Sequence, residues 1–160
     1  MEKSRYAFTM LELIFVIIIV GILATISIPK LSATRDDAKI SKLSYNIQTV
    51  KTEIATSIFA KGKVPKTKEE VKSASNTVIE LESRGNLIFD TSDTNKIGII
   101  FINRDSPSKE RCKKMILDYN DSSNVELAIT TLNSSTAICR GVNSVVQDIN
   151  MTIAGNRIDY

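Results

Sequence analysis

One stretch constrains this chain more than any other. From Phe8 to Ile28 the residues are almost wholly apolar. A run of about 20 such residues is long enough to cross a ~30 Å hydrocarbon core as a helix. A single acid, Glu12, stands near its start. At the centre of a membrane helix a carboxylate costs roughly 2.5–3.5 kcal/mol on insertion scales, and less near an end. A secretory signal peptide fits poorly, because its apolar region is shorter and a small-residue cleavage site follows it; here "KLSA" follows. A plain membrane anchor accounts for length and composition and leaves Glu12 without a purpose.

Thr9, Met10 and Leu11 precede that acid, and the short leader "MEKSRYA" precedes Phe8. The segment "AFTMLEL" resembles the processing site of type IV prepilins and type II secretion pseudopilins. The resemblance covers about Arg5 to Leu31 and says little about the rest. It implies that residues 1–7 are a leader, that a prepilin peptidase cuts between Ala7 and Phe8, and that Phe8 becomes an N-methylated first residue. Thr9, Glu12, Gly21 and Pro29 fall on the family's positions, whereas Ala7 stands where Gly is usual and Met10 where Leu is commoner. It also implies partners: other pilin or pseudopilin subunits in a homo- or heteropolymer, and an inner-membrane assembly platform. In such a polymer the new amine at Phe8 meets the Glu12 carboxylate of a neighbour, a pair that sets register because either charge left alone is costly.

Pro29 lies where the apolar run ends, and proline removes a backbone donor and kinks or interrupts a helix. Beyond it, Ile40, Leu43, Ile47, Val50, Ile54 and Ile58 recur at spacings of three and four, one apolar stripe of an amphipathic helix. Gly62 and Pro65 supply a stop. A helix continuous from Phe8 to about Ala60 would span roughly 80 Å. The expected layout is therefore a leader at 1–7, an apolar transmembrane and assembly helix at 8–29, an amphipathic continuation at 30–61, and an α+β head at 62–160 with antiparallel strands. That is a pilin-like fold class.

Within the head, Thr67 and Glu70 have capping-box spacing, and Gly85 closes the short helix that they open. "NLIFD" and "KIGIIFINRD" read as a hairpin around "TSDTN". Ser106 and Pro107 predict the N-terminus of a further helix, with Cys112, Met115, Ile116 and Tyr119 on one face. "VELAITTL" reads as a strand. In "STAICRGVNSVVQDI", Ile138, Val142, Val145 and Ile149 fit a helix while Val145, Ile149, Met151 and Ile153 fit a strand; the longer set favours helix. A hairpin around Gly155-Asn156 closes the chain.

Composition bears on function mainly by exclusion. There is no histidine, which removes the commonest general base and metal ligand. Cys112 and Cys139 are too few for a four-ligand zinc site. No nucleophile, base and orienter come together in a motif, so no enzyme, cofactor or metal is expected. A Cys112–Cys139 disulfide would close a loop of about 26 residues and contribute roughly 3–4 kcal/mol. It would persist only in an oxidising compartment; two buried free thiols are the alternative. The net charge of +3 is too small for a dedicated nucleic-acid binder. The basic stretches "KGKVPKTKEEVK" and "KERCKK" offer a DNA-contacting surface, but they lack interleaved aromatics and read better as solvated faces. Lysines and arginines flank both ends of the apolar run, so charge alone does not orient it. The resemblance puts the protein in the bacterial inner membrane, single-pass, with the head in the periplasm, and then in a periplasmic or extracellular filament. The function expected is a structural subunit of a type IV pilus or of a secretion or competence pseudopilus. The alternatives are a minor or initiating subunit, and a monomeric membrane-anchored periplasmic binding domain.

Overall fold

The computed structural model describes residues 9–121 and 124–154. Ala7, Phe8 and the expected Gly155-Asn156 turn lie outside them. The chain is α+β. It divides into two compact units, one up to Asp36 and one from Asp37 onward. A single helix, α1 (Met10–Lys61), runs through the boundary. Pro29 does not end it: the residues on either side keep helical hydrogen bonding, and one missing donor is a local loss in a helix of 52 residues. The helix stops where glycine allows it, with Gly62 at φ +60 donating to the Ile58 carbonyl.

The head follows from the apolar stripe of α1. Ile47, Val50, Ile54 and Ile58 have no exposed surface, and Leu43 very little. They share one core with Ile97, Ile99, Phe101, Met115, Leu117 and Leu127 of a sheet. The sheet has five strands: β1 (Leu87–Asp90), β2 (Lys96–Asn103), β3 (Glu110–Asp121), β4 (Asn124–Thr131) and β5 (Ile149–Ala154). Their spatial order is their sequence order, and each neighbouring pair is antiparallel. The β1–β2 hairpin and β4 lie where the sequence places them.

Two elements differ from expectation. The helix opened by Thr67 is two helices, α2 (Lys68–Ala74) and α3 (Asn76–Ser83). The expected capping box forms at Thr67 and Glu70. Ser75 then ends α2 and caps α3, its hydroxyl accepting from Val78 N. Glu53 of α1 holds that corner, accepting from the Ser75 hydroxyl at 2.5 Å and from Thr77 Oγ1 at 3.1 Å.

The helix expected after Ser106-Pro107 is a strand. Those two residues form a turn in which Lys109 N donates to the Ser106 carbonyl. The chain then becomes β3, which pairs with both β2 and β4. Met115 and Leu117 face the core while Lys114, Ile116 and Asp118 are half-buried on the other side, a period of two that the helical spacing masked. A bulge further breaks that alternation. Phe101 pairs with Lys113 and Ile102 with Arg111, so Cys112 is an extra residue, and Cys112 and Lys113 are both buried.

The ambiguous segment resolves into both of its readings. Residues 137–145 form α4 (Ala137–Val145), and the chain re-enters the sheet at Ile149. Gly141 of α4 rests on Ile40 of α1: a Cβ at 141 would fall 2.8 Å from Ile40 Cγ1 and closer still to Cδ1. Alanine is the better helix former by about 1 kcal/mol, but overpacking costs about 1–3 kcal/mol. Gly141→Ala should therefore lower the midpoint of thermal unfolding of the detergent-solubilised chain. A raised midpoint would show that Ile40 moves aside at no cost.

Candidate functional site

The residues singled out by sequence fall into two groups, one at the start of α1 and one beside α4. At the start of α1, Thr9 acts as the cap. Its hydroxyl accepts from Glu12 N at 3.2 Å and its carbonyl from Leu13 N. Thr9 and Glu12 thus have the spacing of a capping box, a local role that the family resemblance left unnoticed. The Glu12 carboxylate itself has no partner among the described residues. Met10–Ser27 has a mean hydropathy of 2.7, with none of it buried, and is long and apolar enough to span a membrane. Its hydroxyls bond within the helix, Thr25 to the Ile22 carbonyl at 2.7 Å and Ser27 to that of Leu23 at 2.8 Å. They need no water for their protons. Gly21 has no atom within 4 Å of where a Cβ would stand, so nothing among the described residues requires a glycine there. Pro29 is helical.

The second group is held by three fastenings around α4. Cys112 and Cys139 are both fully buried and joined as a disulfide, with Cα atoms 4.8 Å apart. This ties the β3 bulge to the first turn of the helix. Next to it, the Glu110 carboxylate accepts from the hydroxyls of Ser134 and Ser135 and from Thr136 N at 3.1 Å. Thr136 is the N-cap of α4. At the other end of α4, Lys113 is fully buried, and its ammonium donates to Thr131 Oγ1 at 2.6 Å and Asp148 Oδ1 at 2.5 Å. The disulfide partners were legible as the only two cysteines. Glu110 and Lys113 were not, because "KERCKK" reads as a solvated run.

Those bonds move two acids. The hydroxyls of Ser134, Thr136 and Ser135 stabilise the ionised Glu110 and bring its pKa down to about 2. The Lys113 ammonium, helped by Thr131, lowers Asp148 to about 2 as well. On the far face of the sheet, Lys114 holds Asp90 below the usual carboxylate range, with help from Ser92. The two lie either side of Gly98, where a Cβ would meet Lys114 Cε at 2.9 Å.

Four cations of the basic stretches are held by carboxylates of the head itself. Lys68 and Lys72 both bridge to Glu82. Lys113 and Lys114 have the carboxylates just described. A cleft of about 290 Å³ between α1, α3 and the end of β2 is likewise lined by paired charges, Lys39 with Asp105 and Arg84 with Glu80. Comparison with protein-family models, with curated proteins and with solved structures finds no match.

Two outcomes follow for the α4 fastenings. Reducing the disulfide, or making Cys112→Ser, should cost about 3–4 kcal/mol and lower the unfolding midpoint; an unchanged midpoint would show that the bridge constrains nothing. The folded pKa values of Glu110 and Asp148 lie below their ordinary values of 4.5 and 3.8. The stability they confer is therefore complete above about pH 4.5 and lost as pH falls towards 2. Midpoints recorded from pH 7 to 2 should be flat and then drop in that window. The drop should be shallower in Glu110→Gln and in Asp148→Asn, and an equal slope in all three proteins would remove these acids as its cause.

Proposed function

We propose that this chain is a structural subunit of a type IV pilus or of a type II secretion or competence pseudopilus. On this reading it is cut by a prepilin peptidase after Ala7, waits in the inner membrane with its head in the periplasm, and polymerises through the first half of α1. The observation that carries it is the state of Met10–Ser27: an apolar helix none of which is buried, with an acid in its first turn that has no partner among the described residues.

The energies favour a partner for that acid. Glu12 gains from the helix macrodipole about 0.3–1 kcal/mol. Burying that carboxylate unpaired in a packed bundle, away from water, costs more than that. The helix start alone therefore does not account for it, and a cation supplied from outside does. Stacking helices with a shift along their axes brings the Phe8 amine of one subunit to the Glu12 carboxylate of another. Gly21 supports the same reading. Glycine inside a helix is worse than alanine by roughly 0.5–1 kcal/mol, no contact among the described residues needs it, and small residues let helices approach closely in membranes.

A monomeric anchor uses the same apolar helix, and Glu12 discriminates between the two. Removing the carboxylate leaves insertion unharmed and leaves the Phe8 amine alone in the assembly. An orphaned buried charge costs about 3–5 kcal/mol. The ratio of filament-associated to membrane-bound protein should fall on the order of a hundredfold or more in Glu12→Val and Glu12→Gln. Glu12→Asp should retain part of the activity. Leader cleavage, read from intact mass, should be normal in all three. Normal filaments from Glu12→Val, expressed as the sole subunit, would return the anchor reading to first place.

A further inference from the structure

Three Asn-x-Ser/Thr triplets, the acceptor pattern for N-linked sugars, occur in the chain at Asn120, Asn133 and Asn150. The pattern alone is weak, and the structure separates the three. The Asn120 triplet ends at Ser122, outside the described residues. The Asn133 triplet is in the exposed loop before α4, but its hydroxyl is committed: Ser135 Oγ donates to Glu110 Oε1 at 2.9 Å. Asn150-Met151-Thr152 is different. It lies in β5, the last strand in the sheet order, whose outer edge has no partner among the described residues. Asn150 and Thr152 are exposed, and Thr152 makes no hydrogen bond through its hydroxyl among those residues.

We propose that Asn150 is an acceptor for an N-linked glycan, which rests on the reading that the head leaves the cytosol. The sequence around it is "DINMT". Residues two apart on a strand point to the same side, so the Asn150 amide and the Thr152 hydroxyl stand on the outward face of an edge strand. Asp148, immediately before the strand, adds an acid two residues ahead of the amide. Its side chain is 54% exposed even though Oδ1 is held by Lys113. A transferase reading this stretch finds the acceptor amide between a carboxylate and a free hydroxyl. Across the sheet Asn150 faces Ala128, the smallest possible Cβ-bearing neighbour, which leaves room for a sugar. One hydrogen bond must be given up, from Asn150 Nδ2 to Glu126 Oε2, and at 3.4 Å it is long. A strand paired on one side only among the described residues, with a register irregularity at Val125/Glu126, is the part of a sheet that opens most readily to an enzyme.

The donor class is an oligosaccharide linked through a diphosphate to a polyprenyl lipid. Nδ2 attacks the anomeric carbon of the first sugar and forms the C–N bond. The carbon–oxygen bond to the diphosphate breaks, its electron pair leaving on the polyprenyl diphosphate. One amide proton passes to a base of the transferase, and nothing is oxidised or reduced.

The test uses the full chain purified from the membranes of its native host, with its intact mass, glycopeptide map and free-thiol count all measured. The expected result is a mass exceeding that of the processed chain by whole sugar residues, carried on the peptide containing Asn150. That increment should be lost in Asn150→Gln and in Thr152→Ala, kept in Thr152→Ser, and kept in Asn133→Gln. A chain with a formed Cys112–Cys139 bridge and no sugar overturns the acceptor alone. A chain with no sugar and both thiols free overturns delivery to the periplasm, and the acceptor with it. Sugar that persists in Asn150→Gln and disappears in Asn133→Gln assigns the modification to the loop and refutes the strand.

Discussion

The head depends on one packing interaction, the burial of the α1 stripe in one core with the inward face of the sheet. Ile47, Val50, Ile54 and Ile58 are each completely buried. Fully burying such a side chain contributes about 1.5–3 kcal/mol. Four of them therefore supply an amount comparable to the whole net stability of an ordinary domain, about 5–15 kcal/mol. Without α1, the inward residues of β2, β3 and β4 would lose the longest apolar stripe that covers them, leaving only the shorter faces of α2, α3 and α4. The amphipathic part of α1 is thus the central element of the head, and its compact unit begins at Asp37 rather than after Lys61.

What could be read from the sequence was whatever had one period and one environment. The α1 stripe keeps spacings of three and four over 19 residues, from Ile40 to Ile58, and all of it packs. The β1–β2 hairpin was legible because "KIGIIFIN" is a continuous apolar run beside a turn of Ser, Asp, Thr and Asn. β3 was not. Its bulge at Cys112 shifts the phase, its neighbours Lys113 and Lys114 are good helix formers, and Ser106-Pro107 imitates a helix start. Strand pairing on both sides overrode these local preferences. The site at the start of α1 is legible only through the resemblance, whereas the capping by Thr9 has its own sequence signal, Thr-x-x-Glu.

Lys113 illustrates a further limit. A fully buried ammonium is expensive, and sequence gives no warning of it because its partners come from far away, Thr131 across the sheet and Asp148 beyond α4. Its position explains its cost. Helix α4 interrupts what would otherwise be a simple β4–β5 connection, so the chain must leave the sheet and return in register. The disulfide and the Glu110 cluster fix the departure, and the Lys113–Asp148 pair fixes the return one residue before β5. A directional, hydrogen-bonded charge pair specifies that point where an apolar contact would tolerate a slip, and in a strand a slip of one residue exchanges the two faces.

The two parts of α1 obey opposite rules, and this gives the functional reading its force. From Leu43 onward every apolar residue on one side is explained by a neighbour in the same chain. From Met10 to Ser27 none is, among the described residues, and neither is Gly21 nor the Glu12 carboxylate. Lipid would satisfy the apolar side chains without needing the glycine or the acid. Soluble helical neighbours would satisfy the glycine without needing a run apolar on all sides. A medium that changes from lipid to packed helices would use all three: apolar residues for the first state, a small residue for close approach in the second, and a charge whose partner appears only on assembly. Such a helix is left incomplete in the single chain, and the acid at its start penalises any packing that does not bring a cation to it.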